Sequence, residues 1–258
     1  MPQLITLLTD FGQSDSYVAE VKGVLLSAAP GATLVDISHE VPLGMVVAGQ
    51  YLLSRAWHRY PTGTVHLVVV DPGVGTPRRA LAASAGGHYF VAPDNGLLTP
   101  VLDAATVVQL AIPDGASATF HGRDVFAPAA ARLALGEALE GLGPAVADPV
   151  RSPLPAPREE RGCVVGEVIY IDRFGTLITN VPAAAIEGAG QVTIGGEFSA
   201  GVGRTFRDVE LGSLVAFGGS GGTVEIAARE RSAAQALGVG VGAEVRVGAT
   251  DTRGEVGG

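Results

Sequence analysis

The chain has 258 residues, 47% of them hydrophobic and 17% charged, with a formal net charge of -9. That length suits one large domain or two ordinary ones, and the acidic balance argues against a nucleic-acid partner. The single cysteine, Cys163, excludes an intrachain disulfide and a cysteine-based zinc site.

In chain order, residues 3–9 read as a first strand closed by Asp10-Phe11-Gly12. Ser14 or Asp15 can cap a following helix, on which Tyr17, Val18, Val21, Val24, Leu25 and Ala28 recur at helical spacing. Pro30-Gly31 stops it, and Thr33 to Ile37 is a second strand leading into Ser38-His39-Glu40. Val46 to Trp57 carries a helical apolar stripe. After Pro61-Thr62-Gly63, the β-branched run from Thr64 to Val70 is a third, buried strand ending at Asp71. This alternation predicts a mostly parallel sheet with right-handed crossovers. Residues 81–84 and 88–92 read as a hairpin around Gly86-Gly87, 97–102 as a short helix and 106–112 as a strand. Asp124 is placed to cap a helix over 129–135.

Pro144, Pro149, Pro153, Pro155 and Pro157 mark residues 144–161 as a linker after an N-terminal α/β domain of residues 1–143. Beyond it, short strands separated by glycine turns predict a small β-barrel domain over 162–250, with 251–258 as a frayed tail. No apolar run reaches ~18 residues, so no membrane span is expected. The N-terminus has no basic stretch of the signal-peptide kind, so a cytoplasmic location is the default expectation.

Three acids, Asp10, Asp71 and Asp172, each close a predicted strand beside a glycine turn. A carboxylate there can accept both hydroxyls of a ribose diol, although Asp is also an ordinary turn residue. His39 and His121 fall in loops after strands, a better place for chemistry than His58 or His66. A metal site built from His39, Asp71, Asp94 and His121 has no tight ligand spacing behind it, so no metal is expected. Gly73-Val74-Gly75 lacks the third glycine of a dinucleotide fingerprint, and neither a P-loop nor a serine-hydrolase elbow is present. Ser220, in the glycine-rich run 217–222, can present its hydroxyl and neighbouring N–H groups to a carboxylate or can be a hairpin tip.

Five motifs follow one another: Thr9-Asp10-Phe11-Gly12, Val69-Val70-Asp71-Pro72-Gly73-Val74-Gly75-Thr76, Ala92-Pro93-Asp94-Asn95-Gly96, Thr119-Phe120-His121-Gly122-Arg123-Asp124 and Ile171-Asp172-Arg173-Phe174-Gly175. In this order they resemble the adenosine-forming S-adenosyl-L-methionine (SAM) hydrolases, or SAM hydroxide adenosyltransferases, relatives of the SAM-dependent fluorinase and chlorinase. The resemblance implies an α/β domain followed by a β-barrel domain, and a homotrimer with substrate held between subunits. It implies no cofactor, SAM being the substrate. The family's Asp–Arg–His triad falls on Asp71, Arg78 and His121. Asp10 would hold the ribose diol and Phe174 would pack on adenine. Asp15, Asn95, Asp172, Thr176, Ser220 and Glu225 complete the implied substrate-binding set. Thr176 and Arg229 stand where the family often has Asn.

Hydrolysis at C5′ needs no acid at sulfur, because the sulfonium already leaves as neutral methionine. Asp71 and His121 would orient the water, with Arg78 holding Asp71 ionised and stabilising developing hydroxide. Which group takes the proton stays open. Arg79 is expected to be structural. The rivals are a halide nucleophile, which a carboxylate at Asp71 would repel, and a non-catalytic adenosine or SAM binder.

Overall fold

The structure, a computed structural model, describes residues 3–248. Its first element, β1 (Leu4–Thr9), leads through α1 (Tyr17–Ala28) to β2 (Thr33–Ser38), and from there through α2 (Val46–Ala56) to β3 (Val65–Val69). The two crossovers make β2, β1 and β3 parallel neighbours, as the alternation of strand and helix signals predicts. Every residue of β3 is buried, which explains its unbroken apolar run: a strand inside a sheet covered on both faces has no solvent side to alternate with. β4 (Ala80–Ala85) and β5 (His88–Pro93) form the predicted hairpin, and β6 (Thr106–Leu110) follows. The complete sheet runs β2-β1-β3-β5-β4-β6, parallel except for β4, which is antiparallel to both its neighbours.

α3 (Ala127–Ala134) buries Ala127, Ala129, Ala130, Ala131 and Leu133 in the same core as Ile5, Leu7, Leu67 and Val69. Small side chains let this helix pack close to its neighbours. A single π-helical turn, Gly122–Phe126, leads into it. Asp124 therefore does not cap α3. It lies inside the π turn, where its carboxylate accepts from Arg123 Nε (2.7 Å) and from the Ser117 amide (2.8 Å). Neither Ser14 nor Asp15 caps α1 either. Ser16 occupies the cap position, and its hydroxyl donates to the Glu20 carboxylate at 2.7 Å instead of accepting a backbone N–H.

The chain divides into two compact units that part between Pro153 and Leu154. The first stretch of the proline-rich segment hydrogen-bonds onto the first unit. Val146 N donates to Val107 O (2.8 Å), and Val150 N donates to the buried carboxylate of Asp94 (2.7 Å). Arg79 completes this anchor by bridging Asp94 and Asp148, which is a structural role.

The second unit begins with β7 (Arg158–Glu160), β8 (Cys163–Ile171), β9 (Leu177–Pro182), β10 (Gln191–Ile194) and β11 (Phe198–Val202). It continues with β12 (Leu214–Gly218), β13 (Thr223–Ala228), the short α4 (Ala233–Leu237) and β14 (Glu244–Gly248). β14 pairs with both β10 and β8, so the sheet closes on itself as a barrel and β7 adds outside the ring. Closure removes the free edges that short, glycine-punctuated strands would otherwise expose. Its interior is apolar, with Val168, Leu177, Val192, Ile194, Val224, Ile226 and Val245 among the buried residues. The tail expected over 251–258 lies outside the described residues. Among those residues, no helix is long and apolar enough to cross a membrane.

Candidate active site

The carboxyl ends of β1 and β3 open into a cavity of about 510 Å³ in the first unit, a size typical of small-ligand sites. Asp10 and Asp71 both line it, as parallel-sheet geometry requires of residues that follow neighbouring strands. His121 and Gly122 arrive from the start of the π turn. π turns widen the backbone locally and recur at functional sites.

Asp71, Arg78 and His121 form one hydrogen-bonded cluster. Arg78 Nε donates to Asp71 Oδ1 at 3.0 Å, and Arg78 Nη2 donates to Asp71 Oδ2. The same Nη2 lies 2.9 Å from His121 Nδ1. Below the cluster, the guanidinium stacks 5.2 Å from the Phe126 ring, at the far end of the π turn. Bidentate pairing over an aromatic face suits arginine and not lysine.

The contact with His121 fixes a tautomer. A guanidinium has no acceptor, so Nδ1 must be the bare nitrogen, and the neutral ring carries its hydrogen on Nε2. Burial, then the nearby positive charge of Arg78, holds the His121 pKa below its usual value, which favours this neutral form.

Gly75 explains how seven residues fold Arg78 back onto Asp71. Its φ is +78°, and a side chain there would place Cβ 2.7 Å from the Ala118 carbonyl oxygen. The loop carrying Arg78 and the loop before His121 meet at that point.

Asp10 lines the same cavity from the end of β1. Its Oδ2 accepts the Gly44 amide at 2.9 Å. Burial raises its pKa, the Gly44 hydrogen bond opposes that rise, and the charge of Asp71 adds to it. Phe11, Tyr17 and Phe120 form an edge-to-face aromatic wall of the cavity, with ring centroids 5.3 to 6.4 Å apart. No motif in the sequence marks these three rings as a cavity wall. Tyr17 falls on the helical apolar stripe of α1, yet it is exposed and lines the cavity.

Asp15 and Asn95 are not brought to this lining. Asp15 is exposed in the turn before α1. Asn95 donates from Nδ2 to Val70 O (2.8 Å) and accepts the Leu97 amide at Oδ1 (3.1 Å), which ties the strand ends together. The four residues weighed as metal ligands do not converge. His39 turns to Thr9, and Asp94 is held by Arg79 and Val150.

A separate cavity of about 500 Å³ in the second unit gathers Asp172, Phe174, Thr176 and Glu225. Asp172 Oδ1 accepts the amides of Phe174 (2.9 Å) and Thr176 (2.8 Å), a tight turn that leaves the Phe174 ring 75% exposed. Thr176 reaches the Asp172 turn through its backbone, so that contact does not depend on its side chain. Ser220 lies at the β12–β13 tip and is not among the lining residues. Arg229 donates to Val209 O at 3.0 Å, also outside that lining.

Comparison with known proteins decides the family. Residues 5–143 match the SAM hydroxide adenosyltransferase N-terminal domain and residues 166–246 match its C-terminal domain. This chain belongs to the SAM hydroxide adenosyltransferase family. It is 45% identical to the (R)-S-adenosyl-L-methionine hydrolase of Thermus thermophilus, over 94% of this chain and 98% of that one. A fluorinase from Nocardia brasiliensis is more distant, at 30% identity over 95% of this chain and 97% of the fluorinase. A crystal structure of an uncharacterized conserved protein from Thermotoga maritima superposes with a TM-score of 0.87 at 37% identity, covering 94% of this chain and 99% of that one.

Proposed function

We propose that this enzyme of the SAM hydroxide adenosyltransferase family hydrolyses S-adenosyl-L-methionine to adenosine and L-methionine, through in-line attack of water at ribose C5′. The observation that carries the reading is the cluster of Asp71, Arg78 and His121, bonded into one unit at the cavity. Water is a poor nucleophile until it is oriented and its developing charge is met. In this reading His121 donates from Nε2–H to the water oxygen, and Asp71 accepts one of its hydrogens. Arg78 bonds to both partners, holding Asp71 ionised and His121 in the donor tautomer. The proton then leaves towards Asp71, because His121 has its only basic nitrogen against Arg78. Asp10 holds the ribose diol, and the Phe174 face is offered to adenine.

A halide nucleophile is the competing reading. An anion approaching Asp71 would meet a carboxylate, which disfavours it. Product chromatography after incubation with SAM, with and without chloride or fluoride, is expected to give adenosine and methionine in equal amounts regardless of halide. A halide-dependent 5′-halo-5′-deoxyadenosine would overturn the hydrolase reading, and tight SAM binding with no product would favour a sensor. The homotrimer implied by the family is part of the same proposal. Light scattering should then give three times the 26.1 kDa chain mass, and a monomer mass would remove any shared site.

A further inference from the structure

We propose that His39 is a positioning residue for Asp10, acting through the Thr9 hydroxyl and the loop that follows β2. The inference rests on the reading of Asp10 as the ribose-diol carboxylate and adds a residue to it that neither lines the cavity nor touches substrate.

His39 is 1% exposed, although it lies in a loop. A register shift between Leu7 and Leu8 brings Ser38 opposite Leu8, so the chain leaves β2 with His39 alongside Thr9. His39 Nδ1 lies 2.8 Å from Thr9 Oγ1. The same oxygen accepts the Phe11 amide at 3.3 Å. The Asp36 carboxylate beside Nε2 favours the ring hydrogen there, so Nδ1 accepts the Thr9 hydroxyl. Nε2 then carries the ring hydrogen. It sits 3.1 Å from Asp36 Oδ1, off the line of a good hydrogen bond, and the attraction there is electrostatic. Asp36 is itself held by Lys22 Nζ at 2.6 Å.

The backbone repeats the strap. Gly12 N donates to His39 O at 2.8 Å, and Val41 N donates to Thr9 O at 3.3 Å. Five residues beyond His39, the Gly44 amide reaches the Asp10 carboxylate. The loop thus grips residues 9–12 at one end and caps Asp10 with a hydrogen-bond donor at the other. Losing His39 frees the Thr9 hydroxyl, loosens the turn on both sides of Asp10 and moves the Gly44 donor.

Asp36, His39 and Thr9 have the residue types of a nucleophilic triad, but that use is closed. Thr9 is 1% exposed, and its oxygen already accepts the Phe11 amide, so no electrophile can reach it. What remains for His39 is to hold geometry.

The test is calorimetric binding of adenosine and of 2′,3′-dideoxyadenosine, with SAM turnover measured in parallel. The wild-type protein should prefer adenosine, and Asp10→Ala should lose about tenfold of that preference, the worth of a good charged hydrogen bond. His39→Ala and Thr9→Val should each lose at least about threefold of it, raising KM for SAM more than they lower kcat. His39→Asn, whose amide oxygen can accept the Thr9 hydroxyl, should recover most of the preference. General loosening of the fold would weaken both ligands alike and leave their ratio unchanged. Wild-type diol preference in Thr9→Val and His39→Ala, with Asp10→Ala impaired, overturns the role of His39 and leaves the ribose reading standing. Intact preference in Asp10→Ala, or no adenosine binding by the wild-type protein, overturns both. If His39→Ala does not fold, Thr9→Val decides the question, since it removes only the hydroxyl.

Discussion

Asp71→Asn is expected to lower kcat for SAM hydrolysis by about 10³-fold while leaving adenosine affinity within about threefold of the parent. The substitution keeps shape and removes charge. Arg78 Nε and Nη2 both donate to Asp71, so an amide in its place sets an NH₂ against an N–H on one side. The guanidinium must then shift, and His121 Nδ1 loses the donor that fixes its tautomer. On the proposed mechanism, one substitution thereby removes the acceptor for the water's hydrogen and disorders its donor. Removing one well-placed group of this kind from an active site costs about 10²–10³ in kcat. On the proposed reading adenosine affinity should survive, because Asp10 holds the ribose and keeps its own Gly44 cap. Burst chromatography of product gives kcat, and calorimetry gives the adenosine Kd. Parent-like turnover would take Asp71 out of the mechanism. A parallel loss of adenosine binding would give it a structural role instead.

The parts of this site that were legible in the sequence are the ones with short-range signals. Asp71 ends a strand, and Gly73 and Gly75 announce a turn, so local pattern brings both Arg78 and Arg79 within reach of Asp71, and the family resemblance chose Arg78. The parallel β2–β1–β3 arrangement followed from alternating strands and helices. His121 lies 50 residues beyond Asp71, and no periodicity connects them. The resemblance to a known family supplied that pairing. Two capping expectations failed for a physical reason. Asp124 has the residue type and place of an N-cap, but a π turn shifts the helix start and gives its carboxylate to Arg123 and Ser117. Tyr17 fits the helical apolar stripe, and periodicity does not tell a core face from a cavity wall. His39 looked like a residue for chemistry because it sits in a loop. Only the register shift in β1 and β2 shows that the loop folds inward and buries it.

Folding stability should fall as pH drops from 6.5 towards 3, and His66 is expected to be the largest single cause. Its ring is fully buried in β3, with Nδ1 2.7 Å from Thr6 Oγ1 and Nε2 3.2 Å from His88 Nδ1. It stacks on Phe90 at 5.0 Å and meets the edge of Tyr60. These partners are a hydroxyl, a second imidazole and two aromatic rings, none of them anionic, so nothing offsets the loss of water around a charged ring. Burial first, then repulsion from His88, lowers the His66 pKa to about 3. His88 is lowered by burial as well. The unfolded chain takes up this proton below pH 6.5, and the folded chain does not until about pH 3. The unfolded state therefore binds more protons across that window, and its stability relative to the native state rises as pH falls. The contribution is complete above 6.5 and is lost at up to about 1.4 kcal/mol per pH unit, on the order of 5 kcal/mol in all. The carboxylates with lowered pKa values, such as Asp36 and Asp124, act in the same direction only below their own unfolded range, near pH 4. The fall between pH 6.5 and about 5 therefore comes from the histidines with lowered pKa values, His88 and His121 alongside His66, while the raised Asp10 acts in the opposite direction. Urea unfolding at pH 8, 7, 6 and 5 should show the slope, and His66→Gln, which cannot titrate, should flatten it. Equal slopes in the two proteins would take the effect away from His66. An NMR titration of the wild-type ring supplies an independent reading: His66 should keep the chemical shifts of a neutral imidazole down to pH 5, and a midpoint near 6.5 would mean the buried pair carries no such penalty.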